Sequence, residues 1–186
     1  KYELCIDEAG RGCLFGRVYI ACVVLPKNED EFSGVDIKDS KKFSSKKKLN
    51  EKADYIKQHA LAWHVSFVES EEIDNTNILK SVMKGMHECI QETMLKHQNN
   101  IEEKTTINDY IAVIDGNYFT PYIRFDNNKD MITQLEHVTV EKGDGKYMGI
   151  AAASILAKTF RDNYVLEMCE NYPELVSKYS LDSNMG

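Results

Sequence analysis

The chain of 186 residues is poor in the residues that break structure. It has 3 prolines and 10 glycines, which excludes collagen-like and proline-rich disordered architectures. No stretch is long and apolar enough to suggest a membrane helix. No internal repeat or low-complexity segment is present. The five cysteines (Cys5, Cys13, Cys22, Cys89, Cys169) are odd in number and form no CxxC pair. That pattern argues against a disulfide framework or a zinc site and for reduced thiols, hence a cytoplasmic, reducing location. The start, Lys1-Tyr2-Glu3-Leu4, reads neither as an initiator methionine nor as a signal peptide. The five histidines show no mutual metal-ligand spacing, so structural roles are expected of them. Acidic residues outnumber basic ones, 30 to 23. A net charge of −7 argues against a protein that coats nucleic acid, but not against a nuclease, because metal-binding carboxylates raise the acidic count.

What remains is an ordinary globular composition, 42% hydrophobic and 28% charged, sized for one domain over residues 1–186. Apolar runs predict strands over 4–6, 18–25, 61–68, 110–114 and 135–140. The first two flank a glycine-containing turn and suggest a hairpin. Helical spacing predicts helices over about 45–58, 78–96 and 148–170, the first capped by Ser44 or Ser45. A polar turn is expected at Ser70 to Ile73, a loop over 98–108, and a polar stretch over 175–186. The order implies an α/β fold, a mixed β-sheet flanked by helices. The small residues opening the last long helix would let it lie close to the sheet.

Acidic residues recur where strands stop: Asp7 and Glu8, then Asp115, with Asp144 just past the last strand. Sites in α/β folds form beyond strand ends. Carboxylates gathered there repel one another, and hard divalent cations relieve the repulsion. Two such ions can activate water and steady the leaving oxygen of a phosphodiester. The competing reading is that Asp after a strand is a common turn former. Lys38, Lys41, Lys42, Lys46, Lys47 and Lys48 cluster with Ser40, Ser44 and Ser45. Lysines at a helix start oppose the helix dipole, which favours phosphate contacts over a helix-stabilising role.

Five segments together resemble the type 2 ribonucleases H. They are Ile6-Asp7-Glu8-Ala9-Gly10-Arg11-Gly12, Asp39-Ser40-Lys41-Lys42-Phe43-Ser44, Asn77-Ile78-Leu79, Ile114-Asp115-Gly116-Asn117, and Lys142-Gly143-Asp144 with the helix Ala151-Ala152-Ala153-Ser154-Ile155-Leu156-Ala157-Lys158 and Arg161-Asp162. The resemblance implies a ribonuclease H-like catalytic domain acting on RNA–DNA hybrids and on duplex DNA carrying single ribonucleotides, as a monomer. It implies catalysis with Mg²⁺ or Mn²⁺, two ions held by Asp7, Glu8, Asp115 and Asp144. It makes Gly10, Arg11 and Gly12 the readers of the ribose 2′-OH, and Ser40, Lys41, Lys42, Asn77 and Lys142 substrate-binding residues. Asp162 reads as a supporting partner of Lys158 or Arg161, with direct metal ligation the alternative. Two departures stand out. Cys13 replaces the family's usual proline, a change expected to affect packing. Asn184 occupies a histidine position, and the sequence stops one residue before a substrate-stacking tyrosine, so a truncated or absent C-terminal extension is expected.

Overall fold

The computed structural model describes residues 1–13, 15–28, 30–35, 37, 40, 43, 45–126 and 130–183. Lys38, Asp39, Lys41, Lys42, Ser44 and Asn184, for which roles are expected above, lie outside the described residues. The elements in chain order are β1 (Tyr2–Ala9), β2 (Val18–Val24), α1 (Lys46–His59), β3 (Ala62–Val68), α2 (Ser70–Asn75), α3 (Ile78–Asn100), β4 (Tyr110–Asp115), β5 (Ile123–Asp126), β6 (Met131–Gln134), β7 (Glu136–Val140), α4 (Met148–Asn171) and α5 (Glu174–Tyr179).

A five-stranded sheet has the order β3-β2-β1-β4-β7. β2 pairs antiparallel with β1 and with β3, while β4 pairs parallel with β1 and with β7. The expected mixed sheet is therefore present, and the β1–β2 hairpin with it. Alternation along β1 sends Leu4 and Ile6 to a core shared with Val82, Met86 and Ile90 of α3. Cys5 points to the opposite core, built with α1 and α4. Two glycines permit close packing. A Cβ at Gly85 of α3 would stand 2.6 Å from Ile20 Cδ1, and one at Gly149 of α4 would collide with Cys5 Sγ. Ala151, Ala152, Ala153 and Ala157 are buried along the same helix, as its small residues led us to expect.

Several expectations need correction. β1 runs from Tyr2 through Ala9, because Asp7 and Glu8 pair with Ala21 and Ile20 of β2. The turn expected at Ser70 is the short helix α2, whose Glu71 and Glu72 suit the positive end of the helix dipole. α3 continues to Asn100, taking the start of the expected loop, and Ile107–Asp109 forms a 3₁₀ turn closed by Thr106 and Asp109. The stretch 118–134, to which the pattern assigns no element, holds the antiparallel β5–β6 hairpin. The polar end contains α5. All five cysteines are free thiols. Among the described residues, no helix is long and apolar enough to cross a membrane.

Candidate active site

The topology brings the acids together. β1, β4 and β7 run parallel, so their C-terminal ends share one edge of the sheet. Ile6 lies beside Ile114 in register, which places Asp7 next to Asp115. Asp115 lies beside Val140, and the chain then turns at Lys142, in the left-handed region at φ 55°, into the 3₁₀ turn Gly143–Gly145 that carries Asp144. Gly143 couples the two loops. Its amide donates to Asp115 Oδ1 at 2.6 Å, and a Cβ there would meet that same oxygen at 3.2 Å.

Asp7, Glu8, Asp115 and Asp144 line one cleft of about 640 Å³, together with Gly10, Arg11, Gly12, Cys13 and Ser40. Helix α4 also lines it, contributing Ser154, Lys158 and Arg161. None of the three is among the site residues expected from the motifs. Their spacing, i, i+4 and i+7 on one helix, was the available signal. Asp7 is only 5% exposed. Burial first, then the charges of Glu8 and Asp115, push its carboxyl well above the usual carboxylate range. Hydrogen bonds from the Glu8 amide (2.7 Å) and from the Ser154 hydroxyl oppose that rise. The Ser154 proton is used on Asp7, so Ser40, 3.0 Å away, supplies its own proton to Ser154. Burial also raises Glu8, with Asp115 adding to the rise and Arg11, 3.5 Å away, countering it.

These carboxylates fit a divalent cation. Glu8 Oε2 is buried without a hydrogen-bond partner, and the hydrogen bonds to Asp7 offset its burial cost only in part. A hard cation would supply both needs. Among the described residues, no group of three or more His, Cys, Asp or Glu stands close enough together to hold a metal as the side chains lie.

The turn after β1 is built for close approach. Gly10 has φ 100°, favoured by glycine, and space for no side chain: a Cβ would lie 2.9 Å from the Arg17 carbonyl oxygen. The Cys13 amide closes the turn by donating to Gly10 O at 3.1 Å. Proline has no amide hydrogen for that bond, so the replacement at position 13 adds a constraint to the turn.

Other expected site residues lie elsewhere. Asn77 is exposed outside the cleft lining, and its Oδ1 caps α3 by accepting from the Lys80 amide at 2.9 Å. Lys142 is exposed at the turn before Asp144. Asp162 is buried, 3.1 Å from Lys158 and 3.7 Å from Arg161. Of the lysine-rich helix start, Lys46, Lys47 and Lys48 are exposed, with Ser45 Oγ capping α1 through the Lys48 amide.

Known proteins resemble this chain along most of its length. The family model for ribonuclease HII matches residues 4–186. The chain is 42% identical over 173 residues to ribonuclease HII of Parabacteroides distasonis, an overlap of 93% of this chain and 74% of that protein. It is 38% identical over 186 residues to ribonuclease HII of Cytophaga hutchinsonii, covering 100% of this chain and 78% of that one. Among solved structures, a chain of the PCNA:RNase HII complex from Archaeoglobus fulgidus superposes with a TM-score of 0.68 at 30% identity, covering 100% of this chain and 85% of that one. With its helix-flanked mixed sheet and its length matched almost end to end, the chain belongs to the ribonuclease HII family of ribonuclease H-like enzymes.

Proposed function

We propose that the protein is an endonuclease that cleaves the RNA strand of RNA–DNA hybrids and incises 5′ to single ribonucleotides in duplex DNA. The observation that carries this reading is the meeting of Asp7, Glu8, Asp115 and Asp144 in one cleft beside the Gly10-Arg11-Gly12 turn. The four carboxylates would hold Mg²⁺ or Mn²⁺, two ions in the reading offered here. When bound, such ions polarise the phosphoryl oxygens and favour ionisation of the attacking water. Water oxygen bonds to phosphorus, the P–O3′ bond breaks, and a proton passes to O3′, leaving 3′-OH and 5′-phosphate ends.

The chain's own groups orient this reaction. Ser40 and Ser154 fix the Asp7 carboxylate by relay. Lys158 and Arg161, which line the same cleft as the acids, meet the negative charge of the backbone. The glycines let the backbone of the turn approach the sugar, where the 2′-OH distinguishes RNA from DNA. Arg11, Ser40, Lys41, Lys42, Asn77 and Lys142 are assigned to substrate contact, and Asp162 to orienting Lys158. The protein acts as a monomer in this reading, in the cytoplasm where DNA is replicated.

The test is a labelled duplex with one ribonucleotide, incubated with the protein in Mg²⁺ or Mn²⁺ and then in EDTA. We expect a single cut on the 5′ side of the ribonucleotide, abolished by EDTA. Activity that survives EDTA would remove the metal-dependent mechanism.

A further inference from the structure

The β1–β2 ladder ends at the pair Ala9 and Tyr19, so the turn carrying Gly10, Arg11 and Gly12 lies beyond its reach. Arg17 immediately precedes β2, and its carbonyl oxygen lies directly against Gly10. Where Arg17 sits therefore determines where the turn sits.

The Arg17 side chain is held by three different parts of the fold. Its guanidinium forks onto Glu69, between β3 and α2: Nε donates to Oε2 at 2.9 Å and the second terminal nitrogen donates to Oε1 at 2.6 Å. Its central carbon lies 4.2 Å from the ring centroid of Phe67 on β3 and 4.6 Å from that of Tyr164 on α4. Tyr164 also packs against Gly16, at φ 80°, with Cε1 3.1 Å from where a Cβ would stand. Both ends of the connecting segment are thus pinned, one by the Arg17 main chain and one by the Tyr164 ring.

We propose that the Arg17–Glu69 pair is a positioning clamp that sets the Gly10-Arg11-Gly12 turn against the acidic cleft and so sharpens discrimination between a ribonucleotide and a deoxyribonucleotide. The proposal rests on the reading of that turn as the 2′-OH sensor. The two side chains are 28% and 51% exposed, and ion pairs this open contribute little to folding because solvent screens them. Their value lies in geometry. A two-pronged fork stacked on rings fixes direction as well as distance, and lysine cannot reproduce it. A loosened turn would harm recognition of one ribonucleotide most. An all-RNA hybrid offers many equivalent registers, so some remain productive.

The experiment compares Arg17→Lys, Glu69→Gln and the double variant with the wild type. It measures kcat/KM on a one-ribonucleotide duplex and on an all-RNA hybrid, the thermal midpoint, and hydrogen exchange at the Gly12, Cys13 and Gly16 amides without substrate. Each single variant should lower the one-ribonucleotide rate relative to the hybrid rate by about tenfold, because small misplacements at a reacting centre are costly. The midpoint should hold while exchange at the three amides accelerates. The double variant should be no worse than either single one, since all three break one contact. An unchanged rate ratio overturns the proposal whatever the exchange shows, and so does a parallel loss of both activities that tracks the midpoint. A wild type inactive on the one-ribonucleotide duplex strikes the functional reading instead, and the exchange data then decide whether the clamp holds the turn.

Discussion

Asp7 illustrates a residue whose proposed chemistry comes at the expense of the fold. Its carboxylate is buried, flanked by two further acids and given only short-range hydrogen-bond relief. Replacing it with asparagine removes the charge and keeps the shape. The amide can accept from the Glu8 amide and donate to Ser154, whose hydroxyl then turns towards Ser40. Asp7→Asn should therefore lower turnover by about 10²-fold or more, with Asp115→Asn and Asp144→Asn similar, since each weakens the proposed cation site. In EDTA, Asp7→Asn should also raise the thermal midpoint, by about 2–4 °C for each kcal/mol of repulsion relieved. Differential scanning fluorimetry with and without EDTA, beside the cleavage rate, checks both. A variant less stable than wild type in EDTA would show that burial of the charge carries no cost.

At the scale of elements, one helix organises the site from behind. α4 lies close to β1 through Gly149 and turns Ser154, Lys158 and Arg161 towards the acids, with Tyr164 one turn further on against the clamp. α3 raises a separate question about Asn77, whose side chain is engaged as its N-cap. Asn77→Ala should cost about 1 kcal/mol of stability through loss of the cap, while Asn77→Ser, which retains an acceptor, should cost little. Urea denaturation of both variants measures this. Hybrid affinity of Asn77→Ser then reads the proposed substrate contact alone, because the cap survives. The helices were legible from their spacing, but α2 was not: Ile73 is its one large apolar residue, too few to show a period. The β5–β6 hairpin escaped for a related reason. Its Ile123, Phe125 and Ile132 face solvent, so no alternation between core and surface marks it.

Across the whole molecule, excess negative charge converges on a cleft proposed to admit a polyanion. The arrangement works only if cations stand locally, as Arg11, Lys158 and Arg161 do. Stability depends on pH through a second, distant region. His97 is fully buried between α3 and β4, with Nδ1 2.9 Å from the Tyr110 hydroxyl, Nε2 unpartnered and the Tyr2 ring against its edge. Burial lowers its pKa, so below about pH 6.5 the unfolded chain takes up a proton that the folded chain refuses. Its contribution is complete above that value and is lost as pH falls towards the folded value. The stability difference between wild type and His97→Phe should shrink by up to about 1.4 kcal/mol per pH unit between pH 6.5 and 5.5. Denaturation curves at several pH values test this, and a constant difference would mean that His97 titrates normally.

The residue order alone determined the fold class and the β1–β2 hairpin and singled out the four acids now proposed for the site, because strand alternation, helical period and motif spacing are local properties of a chain. Partnerships across long separations were decided only by the tertiary structure. Ser40 meets Ser154, Gly143 meets Asp115, and Arg17 meets Glu69 and Tyr164. Each depends on which strands run parallel and which helix covers them. Even Asn77, quoted in a matching motif, lies away from the acids, since a motif records neighbours in sequence whereas a site requires neighbours in space.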